Sequence, residues 1–268
     1  MTHTPTILTI AGYDPYGGAG VMLDTKVIHH LGGYALSVIT AHTVQNSQGV
    51  KSTQAVDSKL FEEQLDALLS DIKVDALKIG MLHNATNVKI VAEMIKKYHI
   101  KNVVLDPIIK SSSGANLLDS DGLEVMKKEL FPLCKLVTPN IPEINYILDS
   151  NYEGKEAEIQ PIAKGFFAYL CDSILIKGGH SSEEDAIDYL VSNNLGATKF
   201  KSKRVETTHT HGTGCFLSSA IATKLAQGKA VSSSIQEAKE LLYQRLYLAS
   251  NIRFEYQERD KIRKEPLI

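Results

Sequence analysis

The chain has 268 residues, 43% hydrophobic and 22% charged, with a formal net charge of −2. That is the balance of a soluble globular protein long enough to bury a sizeable core, and it leaves no basic footprint for nucleic acid. No run approaches the roughly 20 apolar residues of a membrane span, and no charged leader precedes the first apolar stretch. Cys134, Cys171 and Cys215 are too scattered for a disulfide framework or a metal site, so a reducing cytoplasm is the expected setting.

Taken in order, the chain alternates short apolar runs with helical patterns. Thr6 to Ala11 reads as a buried strand closed by Gly12, and Leu23, Val27, Ile28 and Leu31 keep helical spacing up to Gly32-Gly33. Leu36 to Thr40 is a second strand, Leu60 to Leu69 a helix, and Ala76 to Ile79 a strand ending at Gly80. Val88, Val91, Ala92 and Ile95 mark one face of a helix that Asn84 caps. Val103 to Leu105 is a strand that ends in Asp106-Pro107, and Leu123 to Leu130 is a helix. Leu136 to Thr138 is the next strand, and Pro142 suits the first position of a helix running to Leu148. Ile162 to Leu170 is helical, and Ile174 to Ile176 is a strand leading into Lys177-Gly178-Gly179. Ile187 to Val191 and Thr198 to Lys201 form a hairpin with a turn at Asn193-Asn194. Ile235, Ala238, Leu242, Leu246 and Ala249 mark a long final helix.

This alternation predicts one α/β domain over residues 1–268, a mostly parallel sheet with helices on both faces. Ligands of such sheets bind beyond the carboxyl ends of the strands. Gly12-Tyr13-Asp14, Gly80-Met81, Asp106, Asn140, Lys177-Gly178 and Gly212 to Cys215 are therefore expected on one rim.

Four motifs on that rim carry chemistry. The glycine-rich turn Gly12 to Gly20 either cradles a phosphate or fits a helix against the sheet; Asp14 and Asp24 beside it are candidates to bond a substrate hydroxyl or amine, and Asp14 is equally suited to capping the turn. It is neither a dinucleotide fingerprint nor a P-loop. Asn140 and Glu143 open a helix, where a carboxylate is favoured by the dipole alone; alternatively they hold a hydrated Mg²⁺. Lys177, in Lys177-Gly178-Gly179-His180, ends a buried strand and suits a phosphate contact. In Thr207 to Ala222, Gly212, Thr213, Gly214 and Cys215 turn tightly into a helix whose first N–H groups attract an anion. Cys215 there is either a thiol with a lowered pKa or a small buried side chain.

Thr-Ile-Ala-Gly-Tyr-Asp-Pro-Tyr-Gly-Gly-Ala-Gly (9–20), Val-Gln-Asn (44–46), Lys-Ile-Gly-Met-Leu (78–82), Val-Leu-Asp-Pro (104–107), Thr-Pro-Asn-Ile-Pro-Glu (138–143), Ile-Lys-Gly-Gly-His (176–180) and Thr-His-Gly-Thr-Gly-Cys (210–215) occur in this order. Together they resemble the hydroxymethylpyrimidine/phosphomethylpyrimidine kinases of thiamine biosynthesis, in the ribokinase-like superfamily. The resemblance covers about residues 6–250. It implies ATP and Mg²⁺, a homodimer, and phosphorylation first of a hydroxymethylpyrimidine and then of its monophosphate. By position, Gly12, Asp24, Val44, Gln45 and Met81 would line the pyrimidine pocket. Asp106, Asn140, Glu143 and Lys177 would serve metal and phosphates. Thr213 and the Gly212–Cys215 backbone would form the anion hole, with Cys215 taking the hydroxyl proton or orienting the acceptor.

The chain departs from that family at Tyr13 and Tyr16, which replace small residues and would narrow the pocket mouth or stack on a ring. Ser111-Ser112-Ser113-Gly114 replaces Ala-Lys-Ser-Gly, with Lys110 displaced two positions, and Phe216 replaces Thr. The ending Arg263 to Ile268 also differs. A pyridoxal kinase of the same superfamily is the alternative reading, with Lys110 the lysine for an imine. A non-catalytic binder is the third.

Overall fold

A computed structural model describes residues 3–46, 49–111, 114–178, 185–193, 196–205, 207 and 211–248. Thr6–Tyr13 (β1), Gly20–His30 (α1), Tyr34–Asn46 (β2), Gly49–Ala55 (β3), Ser58–Asp71 (α2), Ala76–Ile79 (β4), Ala85–Lys97 (α3) and Val103–Leu105 (β5) build the first half. Ser120–Val125 (α4), Leu136–Val137 (β6), Ile141–Leu148 (α5), Ile159–Phe167 (α6), Ser173–Ile176 (β7), Asp185–Ser192 (β8), Gly196–Lys203 (β9), Thr213–Ala226 (α7) and Val231–Leu248 (α8) build the second.

The nine strands form one sheet in the order β3-β2-β1-β4-β5-β6-β7-β8-β9. The six central strands from β2 to β7 run parallel, while β3, β8 and β9 add antiparallel flaps at the two edges. Successive side chains of each central strand point to opposite layers. Leu8, Ile10, Leu77, Ile79, Val103, Leu105, Val137, Ile174 and Ile176 face α2, α3, α4, α5 and α6. Ile7, Ala76, Val104, Leu136 and Leu175 face α1, α7 and α8. The expected architecture, helices on both faces of a mostly parallel sheet, is the one observed.

Several boundaries differ for identifiable reasons. β3 escapes the sequence pattern because Gly-Val-Lys-Ser-Thr-Gln-Ala has no buried face; it rides on β2 as an exposed edge. The helix expected through Leu130 is α-helical only to Val125. A π turn over Met126–Leu130 follows, then a 3-10 turn over Phe131–Leu133 that contains Pro132, whose missing N–H loosens the ladder. Pro142 takes the second helical position rather than the first, because Asn140 is the cap. The Asn84 cap is as expected, its side chain accepting from Asn87 N–H. Gly179, His180, Ser112, Ser113, Asn194, Thr208 to Thr210, Ala249 and the Arg263–Ile268 ending lie outside the described residues.

Candidate active site

The carboxyl ends of β1, β2, β4, β5, β6 and β7 surround a cavity of about 420 Å³. Of the expected rim, Gly12, Asp14, Met81, Asp106, Asn140, Lys177 and the whole Gly212–Cys215 turn line it; Tyr13, Gly80 and Gly178 do not. Gln45 lines it beside Thr43, so one face of β2 is turned inward. Val44, between them, points out and is 59% exposed, which removes its side chain from the pocket.

At one end, Asp106 follows β5 directly and is almost wholly buried. Its Oδ1 accepts from Lys177 Nζ at 2.8 Å and from Thr138 Oγ1 at 3.2 Å. Lys177 Nζ also lies 3.8 Å from Glu143 Oε2. Asn140 and Glu143 close a reciprocal capping box on α5: Glu143 N–H donates to Asn140 Oδ1 at 2.8 Å, and Asn140 N–H to Glu143 Oε2 at 2.7 Å. The helix cap and the candidate site are thus built from the same two residues. Burial raises the Glu143 carboxyl to about 7, with Asp106 adding to the rise and Lys177 and the Asn140 N–H opposing it. Burial acts to lower the Lys177 ammonium, but Asp106 and Glu143 hold it above its usual value.

The first turn of α7 stands directly over this pair. A Cβ at Gly214 would lie 3.2 Å from Asp106 Oδ2 and 3.5 Å from Lys177 Nζ. Gly212, with φ +80°, caps α7 and packs so closely on the first glycine-rich turn that a Cβ there would meet Gly18 O at 1.9 Å. Cys215 is buried, so of its two readings the small buried side chain holds and the lowered thiol pKa does not. Burial pushes its thiol up to about 11, outweighing the Lys78 ammonium that pulls the other way.

At the other end, Asp14 caps the glycine-rich turn. Its carboxylate accepts from the N–H groups of Tyr16, Gly18 and Ala19 at 2.8, 3.1 and 2.9 Å. His211 Nε2 reaches Asp14 Oδ2 at 3.3 Å, joining this turn to the residue just before Gly212. The motif quoted from the sequence contained His211, but its contact with Asp14 crosses 197 residues and has no local signal.

Asp24, expected in the pyrimidine pocket, lies elsewhere. It is fully buried and does not line the cavity. Its Oδ2 accepts from Lys78 Nζ at 2.8 Å and Thr9 Oγ1 at 2.6 Å, and its Oδ1 from Ser219 Oγ at 2.8 Å. With both oxygens occupied it ties α1, β1, β4 and α7 together rather than meeting a substrate. Tyr13 does not narrow the mouth either; it sits edge-on to His42, ring centres 5.8 Å apart. Phe216 is wholly buried in the layer under α1, α7 and α8.

Among the described residues no group of three or more His, Cys, Asp or Glu side chains could hold a metal alone. Asp106 and Glu143, oxygen donors on either side of Lys177, nonetheless fit a hydrated Mg²⁺, which takes one or two carboxylates and completes its shell with water and phosphate.

Comparison with known proteins agrees with this geometry. The phosphomethylpyrimidine kinase family matches residues 14–258. A hydroxymethylpyrimidine/phosphomethylpyrimidine kinase of Salmonella typhimurium is 39% identical over 235 residues, 88% of each chain. The crystal structure of a Clostridium difficile phosphomethylpyrimidine kinase superposes with TM-score 0.79 at 34% identity, covering 90% of this chain and 99% of that one. An ADP complex of Bacillus subtilis pyridoxal kinase gives 0.85 at 28%, covering 94% and 95%. With this sheet, this cavity and these relatives, the chain belongs to the phosphomethylpyrimidine kinase family, and is a phosphotransferase of the ribokinase-like fold.

Proposed function

We propose that the enzyme transfers the γ-phosphoryl group of ATP to the hydroxymethyl oxygen of 4-amino-5-hydroxymethyl-2-methylpyrimidine, and then a second one to the resulting monophosphate. The observation that carries this reading is Lys177 Nζ, held between Asp106 and Glu143 beneath the first turn of α7. A cation and a helix N-terminus there face the position where phosphoryl charge develops, and positioning with charge stabilisation is most of what phosphoryl transfer needs. Gly12, Gln45 and Met81, at the other end of the same cavity, suit the flat heterocycle, and the Gln45 amide can both donate to and accept from it.

Asp106 and Glu143 would hold Mg²⁺, which when bound neutralises phosphate charge. Lys177 anchors the phosphates, and the Thr213 to Cys215 backbone receives the transferred group. Cys215 orients the acceptor hydroxyl. A homodimer working in the cytoplasm completes the reading; sedimentation would test the first and fractionation the second.

Pyridoxal phosphorylation is the second reading. It is favoured by the closeness of the pyridoxal kinase fold and by Lys110, which lines the cavity. ATP turnover with the pyrimidine, its monophosphate and pyridoxal, run in parallel, decides between them. Turnover on both pyrimidines is the expected result. Turnover on pyridoxal alone would replace it, and binding of a pyrimidine with no turnover of any acceptor would leave a non-catalytic relative.

A further inference from the structure

Among the described residues, the charged side chains and histidine around the cavity are Asp14, Asp106, Glu143, Lys110, Lys177 and His211. Five are engaged with one another: Lys177 with Asp106 and Glu143, and His211 with Asp14. Lys110 makes no ion pair among the described residues. Its ammonium rests 4.9 Å above the ring of Tyr146, which lies one turn along α5 from Glu143 and is 45% exposed.

The backbone beneath Lys110 is fixed. Lys110 bridges Asn116 in antiparallel fashion, Leu117 N–H donates to Ile109 O at 2.8 Å, and Ser111 N–H to Ala115 O at 2.9 Å. Lys110 therefore stands at the neck of a closed turn, a long flexible cation on a fixed base. A cation over an exposed ring is weakly held and readily exchanged for a phosphate oxygen.

The two proposed phosphorylations differ in charge. The first acceptor is neutral at its reacting end, whereas the second carries a phosphate into a cavity already lined by three carboxylates. In that second step a bond forms between an acceptor phosphate oxygen and the γ-phosphorus as the bond to ADP breaks, ADP leaving with the electron pair. No proton has to be removed, but the acceptor's charge has to be met. Lys177 already serves Asp106, Glu143 and, as proposed above, the ATP phosphates, and His211 is paired with Asp14.

We propose that Lys110 is the specificity residue for the second step, leaving Tyr146 to bind the phosphate carried by the pyrimidine monophosphate. This rests on the functional reading above. The test is steady-state kinetics of the wild type, Lys110→Met and Lys110→Arg, with each pyrimidine acceptor at saturating ATP, and with ATP varied. In Lys110→Met the KM for the monophosphate should rise about 10- to 100-fold, the worth of one contact to a charged group. The ratio of kcat/KM between phosphorylated and unphosphorylated acceptors should fall by the same factor, and Lys110→Arg should restore most of it.

Equal losses on both acceptors would overturn the proposal. So would a rise confined to the KM for ATP, which would assign Lys110 to the nucleotide, or a Lys110→Met enzyme indistinguishable from wild type. A wild-type enzyme silent on both pyrimidines would instead overturn the functional reading itself.

Discussion

Cys215 shows how burial decides between two readings that the neighbouring sequence leaves open. A cysteine at a helix N-terminus suggests a thiolate, yet the same helix buries it between α1 and the sheet, and desolvation wins. A thiol held at about 11 is a poor base near neutral pH. A positioned general base contributes about 10²- to 10⁴-fold, so Cys215→Ser should keep turnover within roughly tenfold of wild type. A loss beyond about 100-fold in kcat would restore the base role. Asp14 gives a prediction with a definite sign. Burial acts to raise its pKa, but His211 and the Tyr16 N–H bring it below the usual 3.8. Its carboxylate therefore stabilises the fold above that value, and the contribution is lost as pH falls through the lowered pKa. Asp14→Asn should cost roughly 2 kcal/mol at neutral pH, and urea midpoints should show the gap closing as pH falls through that lowered pKa.

At the scale of elements, the site is an assembly of caps. α5 begins on its Asn140–Glu143 box, α7 on Gly212, and the turn before α1 on Asp14. Their residue types were legible because caps and glycine turns follow local rules. Their mutual packing was not, because Gly212 against Gly18, and His211 against Asp14, join segments about 200 residues apart. Gly212→Ala tests that packing. Its φ of +80° and the 1.9 Å approach to Gly18 O leave no room for a side chain. The turn must shift off Gly18 and carry the start of α7, the proposed anion site, with it, and kcat should fall about 10²-fold or more, as for loss of an oxyanion donor. Unchanged kcat in the folded variant would show that the turn tolerates displacement.

For the whole molecule, the mostly parallel sheet followed from alternation, since parallel strands need helical crossovers and deliver their carboxyl ends to one rim. What alternation could not supply was the partner of a buried charge. Asp24 looked like a substrate ligand because it follows the glycine turn, and Lys78 looked like one strand residue among apolar ones. The fold brings the two together, with neither side chain exposed, and Thr9 and Ser219 complete the carboxylate's bonds. Burial acts to lower the Lys78 ammonium, yet Asp24 keeps it above its ordinary value. Removing one member strands the other, so Lys78→Met should destabilise the protein by about 3–5 kcal/mol in urea unfolding. Adding Asp24→Leu should recover part of that loss, because an apolar pair strands no charge. If the double variant is no more stable than the single one, the surrounding hydroxyls, rather than the unpaired carboxylate, dominate the cost.

One rung of the sheet has a consequence for observing the enzyme at work. Beyond β6 and β7 the ladder continues for a single parallel bridge between Asn140 and Lys177, with Lys177 N–H donating to Pro139 O at 3.0 Å. The backbone of Lys177, proposed above to anchor phosphate, and that of the α5 cap are therefore one hydrogen-bonded unit. Amide exchange at Lys177 should report directly on occupancy of the nucleotide end, slowing when ATP is bound and returning to its ligand-free rate when the nucleotide is removed. Nuclear magnetic resonance of that single amide would then follow loading of the site without any chemistry taking place.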